Sequence, residues 1–349
     1  MNRLNRLNAL NRRQGLAVRR ALVAAAASAV LLATAGAAPA AAGTACAPAV
    51  ITGHADSLVP ESVVWDRDHH RFLVGSLRHG TVSEVRTDGS VRTLVDDPGT
   101  LLEVAGLRVD AARGRVLVTN LDNGVGEHSS SATTGKTAGV GAYDLETGRR
   151  LFYVDLAAVA GDGGPHLAND IAIGPDGTAY VTDSFAPVVY RVGPDGSASV
   201  LVRDDRFTPQ PGAYGLNGIV YRGGRLVVGK WDDGTLWQVP LHDPAAVRRI
   251  EVTGGDATSL LHLDGLIARP DGGIAGVTNA FFGTGRDAEV ELRSDDHWAT
   301  ARLVTVRPSA DPTPTAVTPG PAGRLYQLSG GLAEALGGHP TDTFTLRRL

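Results

Sequence analysis

The sequence repeats one pattern six times, and this repetition limits the folds open to the chain more than any other feature. Each copy has a small first residue, alternating apolar positions, a turn rich in Gly and Asp, and then a β-branched run. Successive copies are 44, 64, 48, 47 and 51 residues apart. They begin at Ser62, Gly106, Asp170, Gly218, Gly265 and Ala316. Such a period is typical of folds that stack one small β unit many times.

Each copy predicts a β-hairpin that is followed by two further strands. Turn residues stand between β-branched segments, as at 174–177, which reads GPDG. Third strands are predicted at 188–192 and 235–239, and fourth strands at 199–202 and 246–252. The 44 Gly and 19 Pro among 349 residues favour turns and argue against a helical bundle. Four antiparallel strands per copy predict an all-β, six-bladed β-propeller with four-stranded antiparallel blades.

The last copy ends with a predicted third strand at 343–348 and leaves no residues for a fourth. Residues 49–52 (AVIT) are expected to supply that outer strand, which would close the ring and leave no exposed sheet edge. We therefore expect residues 43–349 to form a single propeller domain. The polar insertion at 124–139 is expected to be a mobile surface loop.

Residues 1–42 have the features of a cleaved export signal. They contain six Arg and no acidic residue, and an apolar run at 21–38 precedes the cleavage pattern Ala38-Pro39-Ala40. The pair Arg12-Arg13 is compatible with a twin-arginine signal. We therefore expect a secreted protein.

The charge balance limits the partners. The net charge is −4 for the whole chain and −10 without residues 1–42, so no basic surface for nucleic acid or an anionic membrane is expected. Cys46 is the only cysteine and cannot form an intramolecular disulfide. We expect a monomer whose partner is a small-molecule substrate.

The residue before each copy is the most informative position for function. In a propeller, equivalent positions of all blades lie on one circle around the axis, so their side chains converge. These residues are Glu61, Ala105, Asn169, Asn217, Asp264 and Thr315.

Glu61, Asn169, Asn217 and Asp264, which we call the quartet, combine two carboxylates with two amide oxygens. This set predicts a site for Ca²⁺ or another hard divalent cation, since such ions take oxygen ligands. The lack of His and Cys in the quartet argues against zinc or copper. The alternative is that each Asn or Asp only hydrogen-bonds to local backbone at the start of its strand.

Several segments resemble a known group of proteins. These segments are Pro60–Asp66 (PESVVWD), 169–172 (NDIA), 217–219 (NGI) and 264–266 (DGL). Over about the whole mature chain, the sequence resembles the calcium-dependent six-bladed propeller hydrolases of the SMP-30/gluconolactonase/LRE-like family, which are related to diisopropylfluorophosphatase and paraoxonase.

The resemblance implies that Glu61, Asn217 and Asp264 bind a single metal ion and that Asn169 contacts metal or substrate. One position departs from the family. Sugar lactonases carry an arginine where this chain has Leu167, which implies a less polar substrate than an aldonolactone.

The resemblance implies an exported, metal-dependent hydrolase of a lactone or ester, with the cation as a Lewis acid in the central channel. Asp264 is the candidate base, or alternatively a direct nucleophile. A non-catalytic propeller that binds a protein, glycan or cell-wall ligand around a structural calcium ion is the main alternative. A lyase or isomerase on the same scaffold is the third.

Two histidines are further catalytic candidates. His262 lies two residues before Asp264, and His166 lies three before Asn169, so both are expected on loops that enter the channel face. Either could act as an acid or base near neutral pH, and either could instead be a rim residue. Trp231 and Phe185 follow second strands and are expected to pack rather than to bind substrate.

Overall fold

The structure is a computed structural model that describes residues 47–256 and 258–349. The predicted export signal at 1–42 and Cys46 lie outside these described residues. In the part of the chain that is described, no helix has the length and apolar character needed to cross a membrane.

The described residues are mostly strands. The first strand, β1, is Val50–His54. Strands β2–β5 are Pro60–Asp66, Arg71–Ser76, Val82–Val85 and Val91–Val95. Strands β6–β9 are Glu103–Asp110, Arg115–Leu121, Ala138–Asp144 and Arg150–Asp155. Strands β10–β13 are Ala168–Ile173, Ala179–Asp183, Val188–Val192 and Ala198–Arg203.

The second half of the chain continues in the same way. Strands β14–β17 are Leu216–Arg222, Arg225–Lys230, Thr235–Pro240 and Arg248–Thr253. Strands β18–β21 are Leu263–Ala268, Ile274–Thr278, Ala288–Arg293 and Thr300–Pro308. Strands β22–β24 are Pro314–Pro319, Leu325–Ser329 and Thr343–Arg348. The short helices α1 and α2 are Leu156–Ala160 and Leu332–Leu336. Single 3₁₀ turns occur at Ala111–Arg113, Asp205–Phe207, Phe281–Gly283 and Pro321–Gly323.

Consecutive strands pair antiparallel in groups of four. The groups β2–β5, β6–β9 and β10–β13 are separate sheets in chain order. The groups β14–β17 and β18–β21 join into one eight-stranded sheet, because their outer strands β17 and β21 pair in parallel. The last sheet combines β22–β24 with β1, in which Ile51 lies opposite Leu346. The predicted all-β fold is confirmed, with mostly antiparallel, four-stranded sheets.

The strands form where the repeat pattern predicts them. Every copy begins inside the first strand of its group, and the predicted strands 188–192 and 343–348 have the observed bounds. The hairpin turn at 174–177 has the expected chemistry: Gly177 has a φ of +84°, and Asp176 accepts a hydrogen bond from the Thr178 amide at 3.0 Å. The residues 49–52 correspond to β1, which pairs antiparallel with β24 as expected.

The apolar core lies between successive sheets. Leu117 and Ala142 of the second group, for example, pack in one cluster with Ile171, Val181 and Tyr190 of the third. Both faces of these strands are covered, which explains why β7 and β11 are buried along their whole length. Face-to-face packing of this kind brings the first strands of neighbouring groups together.

Hydrogen bonds to two buried carboxylates hold the base of the inserted segment, and its mobility stays a prediction. The amides of Val125 and Gly126 donate hydrogen bonds to Oε1 of the buried Glu103 at 2.9 and 2.8 Å. The Thr134 hydroxyl donates to Asp122 at 3.1 Å, and the last two residues of the predicted insertion belong to β8. Two buried carboxylates at the ends of β6 and β7 therefore anchor the loop.

Candidate functional site

An irregularity in the first strand of each group positions the residues of the quartet. The antiparallel register shifts at the same place in all four strands, and each quartet residue lies within the shift. The shifts fall between Pro60 and Val63, Ala168 and Ile171, Leu216 and Ile219, and Leu263 and Leu266. Because a β-bulge re-aims a side chain away from the regular alternation, these bulges account for a common direction of the four side chains.

The glycine that begins several of the copies permits close approach of neighbouring first strands. A Cβ atom on Gly218 would lie 2.2 Å from the backbone oxygen of Asp264, and one on Gly106 would lie 2.3 Å from that of Asn169. Both distances are well below van der Waals contact, so only glycine fits. The small first residue of these copies is therefore required by contact between neighbouring groups.

Hydroxyl groups bind backbone oxygens at two of the six residues that precede the copies, which we call the ring positions. Thr119 donates to the carbonyl of Asn169 at 2.7 Å, and Thr315 donates to the carbonyl of Glu61 at 2.6 Å. The side chain of Thr315, one of the six ring positions, is thus used for structure. The side chains of the quartet remain directed to the interior.

The quartet lines two adjoining cavities. A pocket of about 50 Å³ touches all four residues, and a smaller space of about 10 Å³ touches them again further along the same first strands. The rest of the larger pocket is mainly apolar. Its lining includes Leu77, Leu121, Asn123, Leu167, Tyr214, Trp231, Phe281, Leu332 and Leu336. The structure therefore brings the four predicted oxygen donors together at the polar end of an apolar pocket.

The two carboxyl groups of the quartet are unfavourably placed for ionisation. Burial raises the pKa of Asp264 to about 8. Burial also raises the pKa of Glu61 well above its usual range, and the charges of Asp264 and Asp170 raise it further. Arg108 opposes this effect, but its guanidinium pairs with Asp170 at 3.0 Å. Glu61 and Asp264 are thus buried close together, and the nearby positive charge of Arg108 does not neutralise both.

The donor set fits a hard cation. Oδ1 of Asp264 is buried and has no hydrogen-bond partner, although Oδ2 accepts a 2.6 Å hydrogen bond from the Asn279 amide. No three His, Cys, Asp or Glu side chains of the described residues form a metal-binding group, and the quartet contributes two carboxylates and two amides. This composition suits calcium better than zinc.

Asn279 is a site residue that sequence analysis did not identify. It lies just after β19, and its amide fixes one oxygen of Asp264 while its own Oδ1 is buried without a partner. The sequence signal was available, because Asn279 is the last residue of the fifth copy. That terminal position lies close to the quartet position of the same copy.

His166 is placed in a buried hydrogen-bonded network. Its Nδ1 lies 2.8 Å from Asp183 Oδ2, and its Nε2 lies 2.9 Å from Asp162 Oδ1. The hydrogen bond with Asp183 raises the pKa of His166. Among the described residues that line the pocket, His166 does not occur. These contacts indicate a structural role, and the catalytic role of His166 stays a prediction.

His262 lies behind the pocket wall. Its ring stacks on Trp231 with centroids 3.7 Å apart, and its Nδ1 faces the backbone oxygen of Asn279 at 3.1 Å. Burial lowers the pKa of His262, which favours a neutral ring. Like His166, it is absent from the described pocket lining. Trp231, by contrast, lines the pocket in addition to packing, so the expectation of packing alone was incomplete.

Solved structures of other proteins share the fold of this chain. Those that match most of the chain include the following three. The major allergen Mala s 1 of Malassezia sympodialis has a TM-score of 0.68 at 17% identity, covering 86% of this chain and 96% of the allergen. A gluconolactonase of Xanthomonas campestris has a TM-score of 0.57 at 19% identity, covering 86% and 89%. Luciferin-regenerating enzyme has a TM-score of 0.55 at 12% identity, covering 85% and 95%.

The chain has the gluconolactonase fold. No family model matches the sequence. A core trichothecene cluster protein 14 of Fusarium sporotrichioides is 27% identical over 186 residues, which are 48% of this chain and 48% of that protein. The chain thus matches about half the length of this curated relative. At these identities the comparisons describe the fold, and the quartet is characterised by the contacts described above.

Proposed function

We propose that this chain is an exported, metal-dependent hydrolase of weakly polar lactones or esters, with its four-stranded groups forming a closed six-bladed propeller. The supporting observation is the unpartnered Oδ1 of Asp264, which lies beside Glu61 at the polar end of an apolar pocket. The gluconolactonase of Xanthomonas campestris, whose fold this chain shares, gives the reaction class.

Glu61, Asn169, Asn217 and Asp264 would hold the cation, with calcium as the preferred ion. When bound, the ion would supply Lewis-acid polarisation of the acyl oxygen. It would also lower the pKa of Glu61 and Asp264 by offsetting their repulsion. One bound cation would thus both offset the repulsion between the two carboxylates and activate the substrate.

Asp264 is the proposed base. Its Oδ2 is held by Asn279, so the carboxylate has a fixed orientation from which Asp264 would accept a proton from an attacking water. Direct attack by Asp264 on the acyl carbon is the alternative role of the same residue. His166 and His262 have no part in this proposal, because neither contacts the pocket in the described structure.

The lining of the pocket supports a proposal for the substrate class. Leu121, Leu167, Trp231 and Phe281 offer apolar surface next to the quartet. Leu167 lies where sugar lactonases of the resembling family have an arginine. We therefore propose an alkyl- or aryl-substituted lactone or ester rather than a sugar lactone.

A non-catalytic binding protein with a structural calcium ion is the second candidate. One observation favours it: apart from the two quartet acids, the only titratable group in the described pocket lining is the Tyr214 phenol. Burial raises the pKa of Tyr214, so this phenol stays protonated near neutral pH. The pocket would then bind an apolar ligand without converting it.

The deciding experiment is turnover of a panel of alkyl lactones, aryl esters, aldonolactones and phosphotriesters, with and without chelator. We expect calcium-dependent turnover of the apolar members and a loss of at least about 100-fold in Asp264→Asn. Asp295→Asn, which alters an exposed carboxyl, is the matched control. Circular dichroism checks that each variant folds. Calcium binding without turnover of any member would favour the binding protein.

A further inference from the structure

Two buried carboxylates lie side by side at the base of the inserted loop, apart from the quartet. Glu103 is the first residue of β6 and pairs with Leu121, the last residue of β7. Asp122 follows Leu121 directly, so strand register brings the two acids to the same end of one sheet. Both residues are fully buried, with 0% exposure.

Each carboxylate uses one oxygen to hold the loop and has a second oxygen with no partner. Oε1 of Glu103 accepts hydrogen bonds from the amides of Val125 and Gly126 and from the Ser129 hydroxyl at 3.1 Å. Oε2 of Glu103 is buried and has no hydrogen-bond partner. Because the loop hydrogen-bonds to only one oxygen of Glu103, the other oxygen is buried without a compensating hydrogen bond, which costs free energy.

Asp122 repeats this arrangement. Its Oδ1 accepts hydrogen bonds from the Gly124 amide at 2.8 Å and from the Thr134 hydroxyl, whereas Oδ2 is buried without a partner. Burial raises the pKa of Asp122, but nearby hydroxyls, including that of Ser129, and the Gly124 amide outweigh it and lower the pKa overall. Asp122 is therefore ionised at neutral pH.

Neither acid forms an ion pair with another of the described residues. Burial raises the pKa of Glu103, and the charge of Asp122 adds to this effect. No cationic side chain is among the main influences on either acid in the described residues. Two adjacent desolvated acids with free oxygens and neighbouring hydroxyls form a set of hard oxygen donors.

We propose that Glu103 Oε2 and Asp122 Oδ2 bind a second divalent cation of the calcium type. The Ser129 hydroxyl and water would complete its ligands. This site is separate from the quartet and does not depend on the proposed function. The competing explanation is a proton held between the two acids, which would leave the protein with no added affinity for a cation.

A cation at the second site would hold one wall of the larger pocket in place. Asn123 follows Asp122 and lines that pocket, where its side chain hydrogen-bonds to the Tyr214 hydroxyl. A cation at Asp122 would therefore fix the segment that carries Asn123 and the start of the loop.

The lysine content provides a direct assay of the loop. The chain has only two lysines, Lys136 in the exposed part of the loop and Lys230, which is buried and paired with Asp232. A lysine-specific protease should therefore cut the folded protein after Lys136. We expect calcium to slow this cut at least tenfold in the wild type and to have no such effect in Asp122→Asn.

Calcium titration of the chelator-stripped protein by calorimetry gives the stoichiometry. We expect two ions per chain in the wild type, one in Glu103→Gln, one in Asp122→Asn, and two in the control Glu334→Gln, which alters an exposed helix residue. The Asp264→Asn variant should keep the calcium-dependent protection of Lys136.

The outcomes separate the two cation sites. One ion that is lost in Asp264→Asn but kept in Glu103→Gln and Asp122→Asn would overturn the second site. One ion lost only in the latter two variants would support it while contradicting the quartet as a metal site. If Glu103→Gln fails to fold, the proteolysis assay at Lys136 in the wild type and in Asp122→Asn decides. Equal rates of cutting of the wild type with and without calcium would overturn the proposal.

Discussion

The charge of Asp264 raises the pKa of Glu61, although more than two hundred residues separate them in the chain. Both are positioned by β-bulges in the first strands of their groups, and both line the same two cavities. A repulsive contact between buried acids is costly unless a cation joins them.

Asn279→Ala tests whether the Asn279 amide orients the carboxylate of Asp264. The substitution removes the amide that holds Asp264 Oδ2 at 2.6 Å, and loss of such a supporting hydrogen bond typically weakens metal binding about 10- to 100-fold. We expect calcium affinity at the quartet to fall by this factor, as measured by titration in an Asp122→Asn background. Unchanged affinity would show that Asn279 does not orient the carboxylate.

Gly218→Ala tests the close packing of neighbouring first strands. The added methyl group would lie 2.2 Å from the Asp264 carbonyl, so the neighbouring strand must move. Overpacking of this kind costs about 1–3 kcal/mol, and we expect at least the upper part of that range in urea unfolding. Gly99→Ala is the control, because a methyl group there meets no atom within 4 Å. Equal stability of the two variants would contradict the argument.

His166 should make stability depend on pH. Its folded-state pKa is raised above the ordinary value of 6.5, chiefly by Asp183, with Asp162 adding to the effect. A group with a raised pKa contributes stability that is fully present below about 6.5 and is lost as pH rises through the folded-state value. Tyr190 also faces this ring, and Arg203 pairs with Asp162.

We therefore expect His166→Gln to lower the free energy of unfolding by about 3 kcal/mol at pH 6. The difference from wild type should shrink between pH 6.5 and 8.5, as followed by urea denaturation at each pH. A difference that stays constant over this range would mean that the imidazolium form is not stabilised.

Leu167→Arg tests the substrate class. Leu167 is buried in the pocket lining, and an arginine there would add positive charge and hydrogen-bond donors to an apolar wall. We expect kcat/KM for an apolar lactone to fall at least about tenfold, since the variant wall no longer matches an alkyl group. Leu167→Met conserves volume and should change it less than about threefold. Equal losses in both variants would indicate that packing, not polarity, is responsible.

The repeat pattern predicted most of the fold because hydrophobic alternation and turn residues act locally. It located the first strand of every group and the pairing partner of β24. It did not predict the parallel contact of β17 with β21, since that contact joins outer strands of different groups through tertiary packing.

The site was only partly predictable. Repeat phase was enough to bring Glu61, Asn169, Asn217 and Asp264 together, because equivalent positions of a repeat occupy equivalent places. The β-bulges that aim their side chains leave no sequence mark of their own. Nearness in sequence to the quartet did not predict the contacts of His166 and His262, whose rings lie in hydrogen-bonded and stacked positions.

The antiparallel contact of β1 with β24 joins residues from opposite parts of the chain, with Val50 opposite Arg347. During synthesis, β1 is made first and must wait without its partner until β24 has been made. Folding of the final sheet is therefore a late event with a large loop-closure entropy. A circular permutation that links β24 directly to β1 would turn this long-range contact into a local hairpin and should speed that step.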